Sequence, residues 1–131
     1  HPNVIHAATD ITVFGLLGHL CEMLRNPGLK VVLNGPEAPA LPGAFSLLGK
    51  GYASSLAPAN RQTWGLLDNG LVDLQLAGIA SGSKRHQALL ELLVDPQTCG
   101  PLLISVQADI AHQLTTQPQS AWTDIGSVQK R

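Results

Sequence analysis

The sequence predicts an α+β fold, a two-layer domain with helices packed on a small mixed β-sheet. Short apolar runs alternate with turn chemistry, leucines recur at helical spacing after Gly15 and again after His86, and a β-branched apolar run at Leu29–Leu33 reads as strand. A chain of 131 residues that is 44% hydrophobic and 13% charged is long enough for one domain with a real core and too short for two comfortable ones. Residues 1–131 are therefore expected to form a single domain.

Val4 to Ala8 reads as a strand or extended entry that delivers Asp10 to a cleft. Leu16, Leu17, Leu20, Cys21 and Leu24 then follow helical spacing, with Glu22 and Arg25 on the outer side, until Asn26-Pro27-Gly28 ends the helix. Leu29 to Leu33 favours a pleated surface and is stopped by Asn34-Gly35-Pro36. Pro36, Pro39, Pro42 and Pro58 punctuate the stretch to Asn60, expected as surface loops around a short helix from Gly43 to Lys50. Gly70, Gly78 and Gly82 weaken either regular structure between Leu71 and Ser83, which stays unassigned. His86 to Val94 fits a helix with Leu89, Leu90 and Leu93 on one side, and Leu102 to Val106 fits a buried strand. Ala108 to Thr116 reads as a helix and Ala121 to Val128 as a last strand.

Two stretches carry the chemistry. In Ala8-Thr9-Asp10-Ile11-Thr12-Val13-Phe14-Gly15 a carboxylate, two hydroxyls and a glycine hinge stand directly ahead of the first helix. Asp10 offers hard oxygen ligands suited to magnesium, while Thr9, Thr12 and the free amides of the helix start offer donors and a positive dipole end to an anion. Asp and Thr are also favoured helix caps, so a plain cap is the competing reading. In Asp95-Pro96-Gln97-Thr98-Cys99-Gly100-Pro101 another acid, amide and hydroxyl lie in a turn between two apolar segments.

Other function classes find little support. A net charge of −1 and a pI near 6.5 supply no basic field for nucleic acid or an anionic membrane. No apolar stretch approaches the roughly 20 residues of a membrane span, and the start lacks a signal core, so a cytoplasmic chain is expected. Gly78 to Lys84 has the wrong glycine spacing for a phosphate loop. Cys21 and Cys99 have no CxxC partner, and His1, His6, His19, His86 and His112 show neither HxxxH nor HExxH spacing. Reduced thiols are expected, Cys21 buried on the helix and Cys99 in a polar turn. His19 is expected as a hydrogen-bonded structural histidine or the orienter of a neighbouring group, and Trp64 and Trp122 as packing residues.

Together the two stretches resemble the C-terminal domain of the selenophosphate synthetase (selenide, water dikinase) family, whose patterns read close to TDVTGFGLLGHL and DPQTSGGLL. Here they stand as TDITVFGLLGHL and DPQTCGPLL, in the same order and at fitting spacing. Ser54-Ser55-Leu56-Ala57-Pro58-Ala59-Asn60-Arg61 looks like the family's intervening loop, so the likeness covers most of the chain. The resemblance implies a fold like the C-terminal domain of aminoimidazole ribonucleotide synthetase. It implies a parent enzyme that makes selenophosphate from selenide and ATP, releasing AMP and orthophosphate, with magnesium and a monovalent cation as helpers and a homodimeric assembly.

By the same resemblance Asp10 matches the family's metal-binding aspartate, and Thr9, Thr12, Gly15, Asn60, Asp95, Gln97 and Thr98 are candidates for the substrate cleft. Asn60 has the alternative of capping a following helix. The chain opens on His1, which reads as a fragment. The family's reactive cysteine or selenocysteine, essential lysine and most nucleotide contacts belong to an N-terminal domain, so no catalytic residue is assigned here and the isolated chain is expected to be inactive. Val13 stands where the pattern has a glycine, which demands ordinary backbone geometry or a rearranged loop. Pro101 replaces a second glycine, and either deletes an anion contact or starts the next strand at an edge. These departures keep a non-catalytic assembly or regulatory module open as one alternative, and a related enzyme sharing the ATP-using architecture is another.

Overall fold

Turn chemistry divides the chain into short elements, and the computed structural model, which describes residues 5–131, orders them as follows. Strand β1 (Ile5–Asp10) leads through a loop to helix α1 (Gly15–Met23) and strand β2 (Leu29–Asn34). A 3-10 turn (Gly35–Glu37) and helix α2 (Ala44–Gly49) come next, then α3 (Ala57–Asn60), a second 3-10 turn (Arg61–Trp64) and α4 (Gly65–Asp68). Strand β3 (Val72–Gln75), helix α5 (Lys84–Val94), strand β4 (Leu102–Val106), helix α6 (Ala108–Thr116) and strand β5 (Gly126–Lys130) complete the order.

The strands fall into two sheets. One is an antiparallel ribbon of β1 and β4, with Ala8 opposite Ile104, Asp10 opposite Leu102 and an irregularity between Ile5 and Ala7. The other has the order β3-β2-β5, β2 running parallel to β3 and antiparallel to β5. This is the mixed sheet of an α+β fold, with helices packed on it. Leu17 and Leu20 of α1, Val31 and Leu33 of β2, Val72 of β3, and Leu89, Leu93 and Val94 of α5 form one buried cluster. Each large side chain removed from water there contributes roughly 1.5–3 kcal/mol.

Helix α1 is built as its leucine spacing demands, with Leu17, His19 and Leu20 buried and Glu22 exposed. Cys21, expected to be buried, is only half-buried. Helix α5 starts earlier than His86, because Ser83 accepts a hydrogen bond from the His86 backbone amide and caps the first turn at Lys84. Its buried positions are Ala88, Leu89, Leu93 and Val94, whereas Leu90 is half-buried.

Strand β4 corrects an expectation: it is not a buried strand. Leu102 is 50% exposed and the other four residues are half-buried. Among the described residues its sheet has only two strands, and neither β1 nor α6 contains a fully buried residue. The last strand is also displaced, from Ala121–Val128 to Gly126–Lys130, because Asp124 accepts from the Gly126 amide and holds a turn ahead of it. Of the expected first strand, Val4 lies outside the described residues, and the strand runs on to Asp10.

The unassigned stretch resolves into β3 and a turn in which Ala77 and Gly82 take positive φ. Trp64 packs against the core and donates from its indole nitrogen to the Leu90 carbonyl at 2.9 Å, while Trp122 is 36% exposed. No helix among the described residues is long and apolar enough to cross a membrane.

Candidate functional site

The two motif stretches, far apart in sequence, meet in space because β1 pairs with β4. The loop after β1 and the loop before β4 therefore leave the same end of one ribbon. Backbone hydrogen bonds lock them together: the Ile11 amide donates to the Pro101 carbonyl at 3.0 Å, and the Gln97 amide donates to the Thr12 carbonyl at 2.9 Å. Gly100 permits this approach, since a Cβ there would overlap the Ile11 carbonyl oxygen. Pro101 gives up no amide contact that this pairing needs, and its carbonyl serves as the acceptor immediately ahead of β4.

Val13 has ordinary backbone geometry, so it needs no glycine; the left-handed conformation falls on Gly15 instead, at φ 73°. A Cβ on Gly15 would come within 2.7 Å of the Val94 carbonyl carbon, so α1 starts against the end of α5. Neither Asp10 nor Thr12 caps α1 with its side chain, which corrects the plain-cap reading.

Asn60 lies 8% exposed between these loops. Its side-chain amide donates to the Val13 carbonyl at 2.7 Å and to the Val94 carbonyl at 3.0 Å. The expectation that it caps a following helix is not met, since the turn at Arg61–Trp64 has no side-chain cap.

Thr12 is held at both ends. Its carbonyl accepts from the Gly15 and Gln97 amides, and its hydroxyl lies 3.0 Å from His19 Nε2. His19 is 6% exposed, and its Nδ1 lies 3.3 Å from Glu22 Oε2. The Phe14 ring leans on the imidazole, their centroids 5.4 Å apart. Gly18 makes room for this, because a Cβ there would meet Phe14 Cβ at 2.6 Å.

Asp10 is exposed at the ribbon's end, and no hydrogen bond among the described residues engages its carboxylate. Thr9 beside it is half-buried and donates to the Asp10 backbone carbonyl at 3.4 Å. Asp95 ends α5 and accepts from the Gln97 side-chain amide at 3.0 Å. Burial pushes its carboxyl pKa up, the Gln97 hydrogen bond opposes this, and the neighbouring Glu91 charge adds to the rise. Thr98 and Cys99 are exposed on the turn.

The structure thus gathers Thr12, Gly15, Asn60, Asp95 and Gln97 around one junction, with Asp10 and Thr98 on its open parts. No three His, Cys, Asp or Glu residues among the described ones stand close enough to hold a metal, so Asp10 brings a single carboxylate. Sequence reasoning placed Glu22 on an outer face and gave it no partner; its spacing of three from His19 was the available signal. A separate half-open cavity of about 220 Å³ lies beside Leu48, Gly49, Ala53, Arg61 and Glu91. Arg61 there is taken up by a forked pair with Glu91, at 2.9 and 3.2 Å.

The family model for AIR synthase related protein, C-terminal domain, matches residues 2–131. The chain belongs to this family. Three similar proteins are each named selenide, water dikinase. The one from Pseudomonas straminea is 35% identical over 84% of this chain. Those from Pelobacter propionicus and Yersinia pestis are 36% and 33% identical over 95% and 94% of it. The matches bear out the resemblance read from the two motifs. The chain spans only 28%, 32% and 34% of these relatives' own lengths, so it corresponds to about a third of such a protein. In this chain the clasped loops are formed by the segments that carry the motif likeness.

Proposed function

We propose that the chain is the C-terminal domain of a selenophosphate synthetase, which makes selenophosphate from selenide and ATP and releases AMP and orthophosphate. The observation that carries this is the clasp itself: two motif loops fixed to each other by backbone hydrogen bonds, with the Asp10 carboxylate exposed at their edge. The relatives' name and their coverage of nearly the whole chain support the same reading.

An exposed carboxylate is a fitting donor for magnesium, whose hard oxygen preference it meets. It is one ligand of an incomplete set, so the remaining carboxylates and the nucleotide contacts are assigned to an N-terminal domain of the parent. Magnesium supplies charge neutralisation for phosphoryl transfer, where positioning and electrostatics carry most of the catalysis. The chain's own residues orient the site: Asn60 and Gln97 hold the loops, Thr9 and Thr12 present hydroxyls, and Asp95 with Thr98 shapes the facing wall. Val13, Phe14 and Leu102, about half exposed around this end, offer apolar surface for the adjoining domain to cover. A monovalent cation, a homodimeric parent and a cytoplasmic location complete the proposal.

The ordinary backbone at Val13 and the placement of Pro101 ahead of β4 favour the enzyme over an assembly module, since neither departure distorts the clasp. Asp10→Asn in the full-length protein tests the reading. An amide keeps the size but loses the anionic ligand, so magnesium-dependent AMP formation is expected to fall steeply while thermal stability changes by no more than about 1 kcal/mol. Normal magnesium dependence in the mutant, or inactivity that tracks unfolding, would remove Asp10 from the site. The 131-residue chain alone is expected to form no AMP from ATP, magnesium and selenide. Selenide-dependent turnover by it would contradict placing the chemistry in another domain.

A further inference from the structure

The segment that carries Asn60 cannot hold its own place. Residues 57–68 form three successive turns, α3, Arg61–Trp64 and α4, of four residues each, and none has a side-chain cap. Helices this short are unstable alone, because one turn costs more backbone entropy than its few hydrogen bonds offset. Side chains bind the segment to the C-terminal end of α5 instead. Asn60 donates to the Val94 carbonyl at 3.0 Å, the Trp64 indole donates to the Leu90 carbonyl at 2.9 Å, and Arg61 forks onto Glu91 at 2.9 and 3.2 Å. Leu90 and Glu91 stand four and three residues before Val94, so all three partners lie on one side of the helix.

The fastenings brace one another. The Arg61 guanidinium lies 5.8 Å from the Trp64 ring centroid, and the Thr63 hydroxyl ties the turn between them by donating to the Asn60 carbonyl at 2.8 Å. The Glu91 side chain is only 16% exposed, so its fork with Arg61 is charge-assisted and little screened. The consequence falls on the other hydrogen bond of Asn60, to the Val13 carbonyl at 2.7 Å. A shift of the turn by about 1 Å would carry that bond out of range. Val13 follows Thr12, whose carbonyl takes the Gln97 amide of the second motif.

We propose that Arg61 and Trp64 are positioning residues: by fixing the Asn60 turn against α5 they hold the first motif loop in register with the second. Their own hydrogen bonds go to α5, so both act on the loop through Asn60. This rests on the reading of the clasped loops as part of the reaction site.

Amide hydrogen exchange in the full-length protein, resolved by fragmentation mass spectrometry, reads the register. Trp64→Phe keeps a packed ring and loses the N–H, and Arg61→Gln loses the fork. Each is expected to speed exchange of the Gln97 and Gly15 amides, both bonded to the Thr12 carbonyl, about tenfold. The Asn34 amide, bonded to the Ile125 carbonyl, is expected to exchange as before. In AMP formation kcat is expected to fall about tenfold, with the KM for ATP within about twofold of the parent value. Arg61→Lys keeps the charge without the planar fork and is expected to behave as Arg61→Gln. Adding Glu91→Gln to Arg61→Gln removes the orphaned carboxylate and is expected to leave the clasp as loose. Val31→Ala in β2 is the control for lost stability alone: assayed equally far below its melting temperature, it is expected to keep Gln97 protection and kcat.

Each variant decides for its own residue, and Trp64→Phe decides the proposal if Arg61→Gln does not fold. Parental exchange at Gln97 and Gly15 in both variants, or equal loosening in Val31→Ala, overturns the proposal. Loosened exchange with unaltered kcat would place the clasp outside the reaction, and the reading beneath this inference fails with it. If Asp10→Asn abolishes turnover while the Arg61 and Trp64 variants leave exchange and kcat as they were, only this inference is lost.

Discussion

The side-chain amide nitrogen of Asn60 lies 2.7 Å from the carbonyl oxygen of Val13, joining the end of α3 to the loop that precedes α1. The same nitrogen reaches the last carbonyl of α5 at Val94, so one NH₂ group satisfies acceptors from two other segments. A group with two hydrogens and two acceptors has no hydrogen left for a ligand.

Asn60→Ala is accordingly expected to cost about 2–3 kcal/mol, because both carbonyls lose a buried partner. Asn60→Asp is expected to cost more, since it sets an acceptor against two acceptors. Urea unfolding of the three proteins at pH 7 measures this, and equal stability of the alanine variant would show that the staple contributes nothing.

Two glycines make a paired test of backbone strain. Gly15→Ala must place a Cβ against the Val94 backbone at φ 73°, and is expected to lose more than about 2 kcal/mol. Gly78→Ala meets open space without positive φ and is expected to be neutral or slightly stabilising, by up to about 1 kcal/mol. Thermal melts of both variants decide it, and a tolerated alanine at Gly15 would mean that α1 can withdraw from α5.

Asp95 predicts a pH dependence of definite sign. Its carboxyl pKa is raised in the folded protein, so the native state favours the protonated form and stability falls as pH rises through the carboxylate range. Its place at the C-terminal end of α5 disfavours the negative charge further. Asp95→Asn keeps a side-chain oxygen for Gln97, and is expected to raise stability at pH 7 by up to about 1 kcal/mol and to flatten that acid-range slope. Lower stability at pH 7 would show that the ionised form is the one the fold prefers.

The thiols should separate by exposure. Cys99 is exposed and Cys21 half-buried, so iodoacetamide in native buffer is expected to alkylate Cys99 first. Peptide mass mapping after partial labelling gives the order, and faster labelling of Cys21 would mean that α1 opens.

Periodicity carried the reading wherever a single element decides its own shape. The leucines of α1, the strand at Leu29–Leu33 and the helix at Ala108–Thr116 were legible for that reason. Burial of β4 was not, because an apolar run looks the same whether or not a second layer covers it. The start of α5 hung on one Ser83 hydroxyl, and the delay of β5 on one Asp124 oxygen. At the candidate site, motif likeness singled out Asn60, yet its acceptors lie in segments remote from it in sequence. No local pattern could have shown that its amide is spent on Val13 and Val94.

The ribbon joins the first strand of the chain to its fourth, and the other sheet is finished only by its fifth. During synthesis Asp10 leaves the ribosome well ahead of the partners that present it, Pro101 and Leu102, which follow only after most of the domain has emerged. Pairing across so long a loop is slow, and until it happens the first motif has no strand to hold it. A ribosome that stops anywhere before the second motif therefore releases a chain with neither sheet complete and its carboxylate on no scaffold.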